Sequence, residues 1–338
     1  MRALFLGGTG TISTAISHLL VEMGWDLTLL NRGLHADRVP AGASLLIGDM
    51  GDEEIIRQLL SDQWFDVVVD FIAFVPEHVR RDIRLFQGHC HQYIFISSAS
   101  VYQKPPMNYF ITESTPLSNP YWQYSRDKIA CEEILMNAYR ESGFPVTIVR
   151  PSHTYGDWSI PLPIHGKNGP WQTILRMKEG KGVLVIGDGT SLWTLTHSRD
   201  FARGFVGLMG NIHAIGEAVH ITSDEALTWN QIFQCIAMAL DVRPNLFHVS
   251  ADAIVARDPA QLGPLIGDKC HSLIFDNSKL KRLVPGYAAT IRFDQGIRTT
   301  LNYFMAHPEL QRPDPEWDAF TDRIIFEESV YRRPIVSS

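Results

Sequence analysis

Hydrophobic residues recur along the first 150 positions in two alternating patterns. Short continuous apolar runs predict buried β-strands, at 2–6, 27–30, 45–47, 66–70, 92–97 and 146–149. Between them, apolar residues three and four positions apart predict amphipathic helices, at 12–23, 53–60, 76–87 and from Asn119-Pro120 to Ser142, with Gly143 closing the last. Strands that alternate with helices predict a Rossmann-type, doubly wound α/β sheet of parallel strands with right-handed crossovers.

The alternation breaks after Arg150-Pro151, where prolines and glycines punctuate a loop. Beyond it we predict a helix ending near Gly180, a strand at 183–186, a return to the sheet through a strand at 218–222, and then short helices and loops. The polar tail from about Gln311 is expected to be only partly ordered. We therefore predict a dinucleotide-binding domain at 1–152, rejoined by about 195–225, and a smaller, mostly helical, discontinuous substrate-binding lobe at 153–338.

Composition restricts the function classes. The 338 residues carry a formal charge of -7 and no basic run that could track phosphates, which argues against nucleic acid as the main partner. No stretch approaches about 18 uninterrupted apolar residues, and the apolar run at the N-terminus is too short for a secretion signal, so we expect no membrane partner and a cytoplasmic location. The four cysteines are scattered along the chain without a paired spacing, so we expect reduced thiols. The side chains of His89-Cys90-His91 cannot converge on one ion from an extended segment, so we expect no metal site.

A glycine turn follows the first predicted strand. Gly7-Gly8-Thr9-Gly10 lies between that strand and a helix, the context in which a backbone turn and a helix N-terminus bind a dinucleotide pyrophosphate. Ser13 stands where a third glycine is common. The alternative interpretation is a tight strand-to-helix turn without a ligand.

The end of the second predicted strand bears on the choice of cofactor. An acidic residue there would bind the adenosine ribose of NAD, but the chain has Asn31-Arg32-Gly33. Asn31 can donate to a ribose or phosphate oxygen, and Arg32 can pair with a 2'-phosphate, which favours NADP over NAD unless Arg32 is only a solvated loop charge. Asp49 is either an adenine ligand or a helix-capping residue.

Tyr124 and Lys128 have the spacing of an acid/base pair. Four residues apart on a predicted helix, they share one face, and a nearby ammonium lowers the pKa of a phenol. A Tyr and a Lys also occur at this spacing by chance in many helices.

In these motifs the chain resembles an extended short-chain dehydrogenase/reductase of the NAD(P)-dependent epimerase/dehydratase family. The resemblance rests on the glycine turn, Tyr124 to Lys128 and three further segments: Ser97-Ser-Ala-Ser-Val-Tyr102, Arg150-Pro151 with Tyr155-Gly156, and Gly187-Asp-Gly-Thr190 leading to His197 and Asp200. Asn31-Arg32-Gly33 also resembles a subgroup related to chloroplast RNA-binding proteins.

The resemblance implies roles for individual residues. Ser98 would hydrogen-bond the reacting oxygen, with Ser97 as the rival assignment, Tyr124 would exchange its proton, and Lys128 would hold the nicotinamide ribose and lower the pKa of Tyr124. Residues implied for the cofactor are Gly7, Thr9, Gly10, Thr11, Ile12, Asn31, Arg32, Asp49, Met50, Phe71, Ala73, Ser97, Tyr124, Lys128, Pro151 and His153. Those implied for the substrate are Ser98, Ser100, Tyr124, His153, Lys167 and Trp193. A homodimer through the helix bearing Tyr124 is also implied.

Departures from the family pattern restrict the substrate. Ala99 and Ser100 stand where 4,6-dehydratases carry acids, so dehydration by that route is disfavoured. His153 replaces a common Asn, and Trp193 replaces an Arg that binds a diphosphate. Trp193 either stacks on a sugar or base or belongs to the core. The remaining cations that could bind a diphosphate are Arg150, Lys167 and Arg176.

The leading hypothesis is an NAD(P)-dependent epimerase that oxidises a secondary alcohol of a sugar or sugar-containing substrate to a transient ketone. The alternatives are a net NADP-dependent dehydrogenase/reductase of the same fold and a non-catalytic module that binds RNA or protein.

Overall fold

The computed structural model describes residues 1–61 and 63–331, with fifteen strands among them. The strands are β1 (Arg2–Leu6), β2 (Asp26–Asn31), β3 (Ser44–Ile47), β4 (Phe65–Asp70), β5 (Cys90–Ile96), β6 (Phe110–Ile111), β7 (Val146–Pro151), β8 (His153–Tyr155), β9 (Gly182–Ile186), β10 (Leu192–Trp193), β11 (Leu195–His197), β12 (Ala218–Ile221), β13 (Leu227–Thr228), β14 (Asn245–Val249) and β15 (Ile274–Phe275).

The α-helices within the same described ranges are α1 (Thr11–Glu22), α2 (Glu53–Leu60), α3 (Pro76–Phe86), α4 (Gln123–Ser142), α5 (Trp171–Lys178), α6 (Ser198–Leu208), α7 (Trp229–Leu240), α8 (Ala251–Arg257), α9 (Ser278–Leu283), α10 (Phe293–Ala306) and α11 (Pro315–Tyr331). A π-helical segment, Leu262–Lys269, follows α8. No helix in the described part of the chain combines the length and the apolar character needed to cross a membrane.

Seven parallel strands form the central sheet in the order β12-β7-β5-β4-β1-β2-β3. The predicted Rossmann-type fold is thereby confirmed, and the predicted sheet strands lie within two residues of the observed bounds. The order reverses beside β1, because β4 lies on one side of it and β2 on the other. A crevice opens at such a reversal beyond the carboxyl ends of the strands, which is where ligands of open α/β sheets bind.

Alternate residues of β1 face opposite layers. Ala3 and Phe5 pack with helices α1 and α6 on one face of the sheet, and Leu4 and Leu6 pack with α2, α3 and α4 on the other. Both faces of a parallel sheet are covered in this way, which is why the strand sequences read as continuous apolar runs.

The second lobe has its own core above the carboxyl edge of the sheet. It contains two short parallel pairs, β9 with β14 and β8 with β11, packed against α5, α7 and α10. The division of the chain into domains at the predicted boundaries stays a prediction.

Two expectations about helices are wrong. The tail from Gln311 is not loosely ordered over Pro315–Tyr331, since this segment forms α11 and buries Trp317 and Ile324 in the core of the second lobe; residues 332–338 lie outside the described residues. Helix α4 begins at Gln123 rather than at Asn119-Pro120.

Asn119 has another role. Its side-chain amide donates to the carbonyls of Ser100, at 2.9 Å, and Gly267, at 2.7 Å. It therefore ties the loop after β5 to the π-helical segment of the second lobe and brings that segment over the end of the sheet.

Candidate active site

The turn after β1 requires glycine at two positions. Gly7 and Gly8 have φ values of +98° and +97°, in the region that side chains disfavour. A Cβ on Gly8 would lie 2.5 Å from Cδ2 of Leu29 in β2. Only glycine allows this backbone to turn so tightly against the sheet.

Helix α1 begins directly after the turn. The Gly10 N–H donates to the Ser13 hydroxyl at 2.8 Å, so the serine in the place of a third glycine satisfies one amide of the helix start. Thr11 and Ile12 lie in the first turn, where backbone N–H groups have no acceptor within the helix and favour an anion. The residues predicted for the pyrophosphate thus lie together at the end of β1.

A cavity of about 600 Å³ adjoins this turn, at the carboxyl ends of β1, β2 and β3. We call it the glycine-turn pocket. Of the predicted cofactor residues, it is lined by Gly7, Thr9, Asn31, Arg32, Asp49 and Met50. The structure therefore brings six predicted residues around one cavity of the size that small-molecule ligands occupy.

Asn31 is used chiefly to hold the turn. Its amide nitrogen donates to the Gly7 carbonyl at 3.0 Å, and its amide oxygen accepts from the Gly33 N–H at 2.8 Å. Arg32 is exposed at the rim of the pocket and makes no hydrogen bond or ion pair with any residue that the structure describes. Of the two, Arg32 is the group available to a ligand.

Two neighbouring residues complete this rim. The Asp49 carboxylate accepts from the Gly51 N–H at 2.8 Å, whereas Asp52 caps α2, so the capping interpretation of Asp49 is wrong. Met50 is buried, and its carbonyl accepts from Arg81 at 3.0 Å.

Phe71 does not line the glycine-turn pocket. Its ring packs against Phe5 at 5.1 Å, and the pocket wall is formed by Ile72 and Phe74, which sequence reasoning missed. The Asp70 carboxylate accepts from the N–H groups of Ile72 and Ala73 just after β4, and the structure does not bring Phe71 to this pocket.

A second cavity, of about 240 Å³, lies where the second lobe covers the ends of β5 and β7. We call it the tyrosine pocket. Its lining contains six predicted site residues, Ser98, Ser100, Tyr124, Pro151, His153 and Trp193. Those residues are up to 95 positions apart in the chain, and the fold brings them together.

Ser97 and Ser98 point to different surroundings. The Ser97 hydroxyl is buried and donates to the Glu132 carboxylate at 2.5 Å, so its side chain is not available to a ligand. Ser98 lines the tyrosine pocket with its hydroxyl 2.9 Å from that of Ser100, which in turn accepts from Ser125 at 2.8 Å. Ser98 is the serine that can reach a reacting oxygen.

Tyr124 lies in the first turn of α4, beside Ser98. Burial raises the pKa of the phenol, and a hydrogen bond with Ser98 opposes part of that rise. The expectation of a lowered pKa for Tyr124 is therefore not met in this structure, where burial has the larger effect. The phenol is protonated at neutral pH.

Lys128 lies between the two pockets. Its ammonium donates to the carbonyls of Ala73, at 2.6 Å, and Ile96, at 2.7 Å, and lies 5.8 Å from the centre of the Tyr124 ring. It also lies 4.8 Å from the ring of Phe74 in the wall of the glycine-turn pocket. Burial lowers the pKa of Lys128 to about 8, so it stays mostly cationic at neutral pH.

His153 and Trp193 are coupled. The indole N–H of Trp193 donates to Nδ1 of His153 at 3.3 Å, which assigns the ring proton to Nε2. Burial and the nearby charge of Lys269 lower the pKa of His153 to about 3, so the imidazole is neutral. Trp193 also stacks on Trp229 at 5.7 Å, so it is at once a core residue and a wall of the pocket.

None of the three cations considered for a diphosphate lines the tyrosine pocket. Lys167 lies at the surface and pairs with Glu316 at 2.9 Å, so the structure does not bring this predicted substrate residue to the tyrosine pocket. Arg150 is buried against Glu132, and Arg176 pairs with residues of α11.

Sequence reasoning assigned none of the seven other residues that line this pocket to the site, and three of the seven carry an indole ring or a charge. Trp122 precedes α4, and Asp268 and Lys269 end the π-helical segment. No local pattern marks the last two, because the segment reaches the site through the tertiary contact with Asn119. Among the residues that the structure describes, no group of three potential ligands could hold a metal ion.

Comparison with known proteins agrees with this geometry. A model of the NAD dependent epimerase/dehydratase family matches residues 3–221, more than half of the chain. The chain is 24% identical over 332 residues to the UDP-glucose 4-epimerase of Lactobacillus helveticus, covering 91% of this chain and 98% of that one.

A plant protein is also similar. The chloroplast stem-loop binding protein of 41 kDa b from Arabidopsis thaliana is 27% identical over 251 residues, which span 70% of this chain and only 63% of the plant protein.

Among solved structures, UDP-glucose 4-epimerase from Thermotoga maritima superposes with a TM-score of 0.74 at 20% identity, covering 90% of this chain and 99% of that one, a likeness that shows the fold. With the family match, the glycine turn and the Ser98, Tyr124 and Lys128 arrangement, the chain belongs to the NAD-dependent epimerase/dehydratase family of extended short-chain dehydrogenases/reductases.

Proposed function

We propose that this protein is an NAD(P)-dependent epimerase that acts on a secondary alcohol of a sugar or sugar-containing substrate through a transient ketone. The observation that carries the proposal is the position of Ser98 and Tyr124 in one pocket, joined through Lys128 to the pocket beside the glycine turn. A bound nicotinamide would supply the hydride acceptor and return the hydride.

The chain's own groups handle the proton. Tyr124 first releases its own proton to solvent; as the phenolate it takes the hydroxyl proton of the substrate during oxidation, and it returns that proton when the ketone is reduced on its other face. Ser98 donates a hydrogen bond to the same oxygen. Lys128 stabilises the transient phenolate by its charge, since two carbonyls hold its ammonium near the Tyr124 ring.

The residues fit a dinucleotide. The glycine turn allows close backbone approach, the start of α1 offers free amides to a pyrophosphate, and Arg32 presents a cation with no partner among the described residues. A homodimer through α4 stays a prediction.

The first test is mass spectrometry of the small molecules released when the freshly purified protein is denatured. About one NAD or NADP per chain supports an epimerase, which regenerates its cofactor in every turnover. An empty protein that turns over only with added nucleotide indicates a net dehydrogenase/reductase. If the protein binds neither nucleotide, the proposal is contradicted and a non-catalytic binding module is favoured. The plant relative is named as a stem-loop binding protein.

We also propose that Arg32 favours NADP over NAD. Replacing Arg32 with Ser should weaken NADP binding about tenfold or more, because a charge-assisted hydrogen bond to the 2'-phosphate is lost, and should leave NAD binding nearly unchanged. Calorimetric titration of both nucleotides measures the effect. The control is Arg140→Ser at the far end of α4, and equal weakening of both nucleotides would contradict the role.

A further inference from the structure

The ammonium of Lys269 lies in the tyrosine pocket without a hydrogen-bond acceptor. Its nearest charged partner is the Asp268 carboxylate, at 3.9 Å, and the ring of Trp122 lies 5.9 Å away. No residue in the described ranges accepts a hydrogen bond from it. Three N–H donors are therefore available to a ligand in the cavity that Tyr124 lines.

The local charge balance is positive. Among the described residues, the pocket wall contains one carboxylate, that of Asp268, and it is shared, because the buried ammonium of Lys104 lies 3.8 Å from its other oxygen. His153 is neutral, and the Tyr124 phenol is protonated. Two ammonium groups against one carboxylate leave an uncompensated positive charge, which a buried site tolerates best when a ligand supplies the anion.

The size and walls of the pocket restrict the ligand further. A volume of about 240 Å³ is below the roughly 300–1,000 Å³ of sites for drug-sized ligands, and it suits a single sugar ring. Indole rings of Trp122 and Trp193 line it, and such rings pack well on the C–H faces of sugars. Among the residues that the structure describes, no arginine lines the pocket, so these residues offer no bidentate clamp for a diphosphate there.

From these observations we infer that the substrate is a small anionic carbohydrate, one sugar ring bearing a carboxylate or a phosphate, and that Lys269 binds its anionic group. The inference rests on the proposed function for the reacting alcohol, which Tyr124 and Ser98 would hold at the other side of the same pocket. Lys269 then determines specificity, because its ammonium binds anionic sugars more tightly than neutral ones.

The test measures binding to the nucleotide-loaded protein by calorimetry. The probes are the gluco, galacto and manno hexuronates, the corresponding hexose 6-phosphates, the neutral hexoses and UDP-glucose. At least one acid or phosphate should bind about tenfold or more tightly than its neutral hexose, and the better of the two series identifies the anion. Equal or tighter binding of every neutral hexose, or tight binding of UDP-glucose alone, overturns the inference.

Variants assign the preference to Lys269. Lys269→Met should reduce the preference for the anion over the neutral hexose to within about twofold, whereas Lys269→Arg should retain this preference. Lys181→Met, at an exposed surface position, is the matched control. An unchanged preference in Lys269→Met, or its loss in a folded Lys269→Arg variant, contradicts the assignment.

Binding and turnover separate the two proposals. A protein that binds anionic sugars selectively but neither retains nucleotide nor oxidises them contradicts the epimerase and leaves the anion site standing. A protein that retains nucleotide and epimerises only neutral or nucleotide-linked sugars contradicts the anion site alone.

Discussion

The Tyr124→Phe variant is expected to lose about 10²–10⁴-fold in kcat, because the substitution removes the phenolic hydroxyl that we propose exchanges a proton with the substrate oxygen beside Ser98. The ring itself stays, and with it the contact with Trp122 at 5.0 Å. KM and bound nucleotide should therefore change little. The rate is measured with whichever hexose derivative the wild-type protein turns over, and nucleotide content is read from the denatured variant.

A second tyrosine on the same helix provides the control. Tyr139 lies near the end of α4, far from the pocket, so Tyr139→Phe should retain wild-type turnover. Unchanged turnover in Tyr124→Phe would remove this residue as the acid/base. Loss of nucleotide together with turnover would instead assign Tyr124 a role in cofactor binding.

Replacing Arg150 with Met should lower the free energy of unfolding by about 3–5 kcal/mol, because it leaves the buried carboxylate of Glu132 without its cation. The pair is nearly inaccessible, with side chains 5% and 4% exposed, and two hydrogen bonds of 2.5 and 2.9 Å join the groups. Glu132 also accepts from Ser97, so the pair fixes α4 against the end of β5. Urea unfolding measures the change.

Two further variants make this expectation specific. Breaking the exposed pair of Arg80 and Glu77 with Arg80→Met should cost less than about 1 kcal/mol, since solvent screens it. The double variant Arg150→Met/Glu132→Leu should recover much of the loss, because no buried charge is left unpaired. If Arg150→Met lowers the free energy of unfolding no more than Arg80→Met does, the buried pair contributes no more to stability than the exposed pair.

Local sequence was sufficient to predict those features that are determined by residues close together in the chain. Apolar runs located the sheet strands within two residues, because a strand buried on both faces excludes polar groups. The glycine turn could be predicted since its backbone conformation tolerates little else, and the spacing of Tyr124 and Lys128 put both on one face of α4. The likeness to the family predicted that these segments together form one site.

Predictions that depended on distant contacts were less accurate. Phe71 was assigned to the cofactor by the likeness to the family, but its ring packs against Phe5, and the neighbouring residues that line the glycine-turn pocket are Ile72 and Phe74. Lys167 was assigned by charge alone, and its partner Glu316 lies 149 residues away on α11. The apolar contacts of Trp317 and Ile324 ordered a tail whose polar composition had suggested partial order.

The sequence by itself determined the Rossmann-type sheet, the turn at Gly7 and Gly8, and the helix that carries Tyr124, because backbone conformation and hydrophobic periodicity act between residues close in the chain. Only the tertiary structure decided that Ser98 rather than Ser97 faces the pocket, that burial raises the pKa of Tyr124, and that Lys269 lies in the wall of the tyrosine pocket. Burial, desolvation and charge compensation depend on residues that are distant in the chain, and the fold alone brings these residues together.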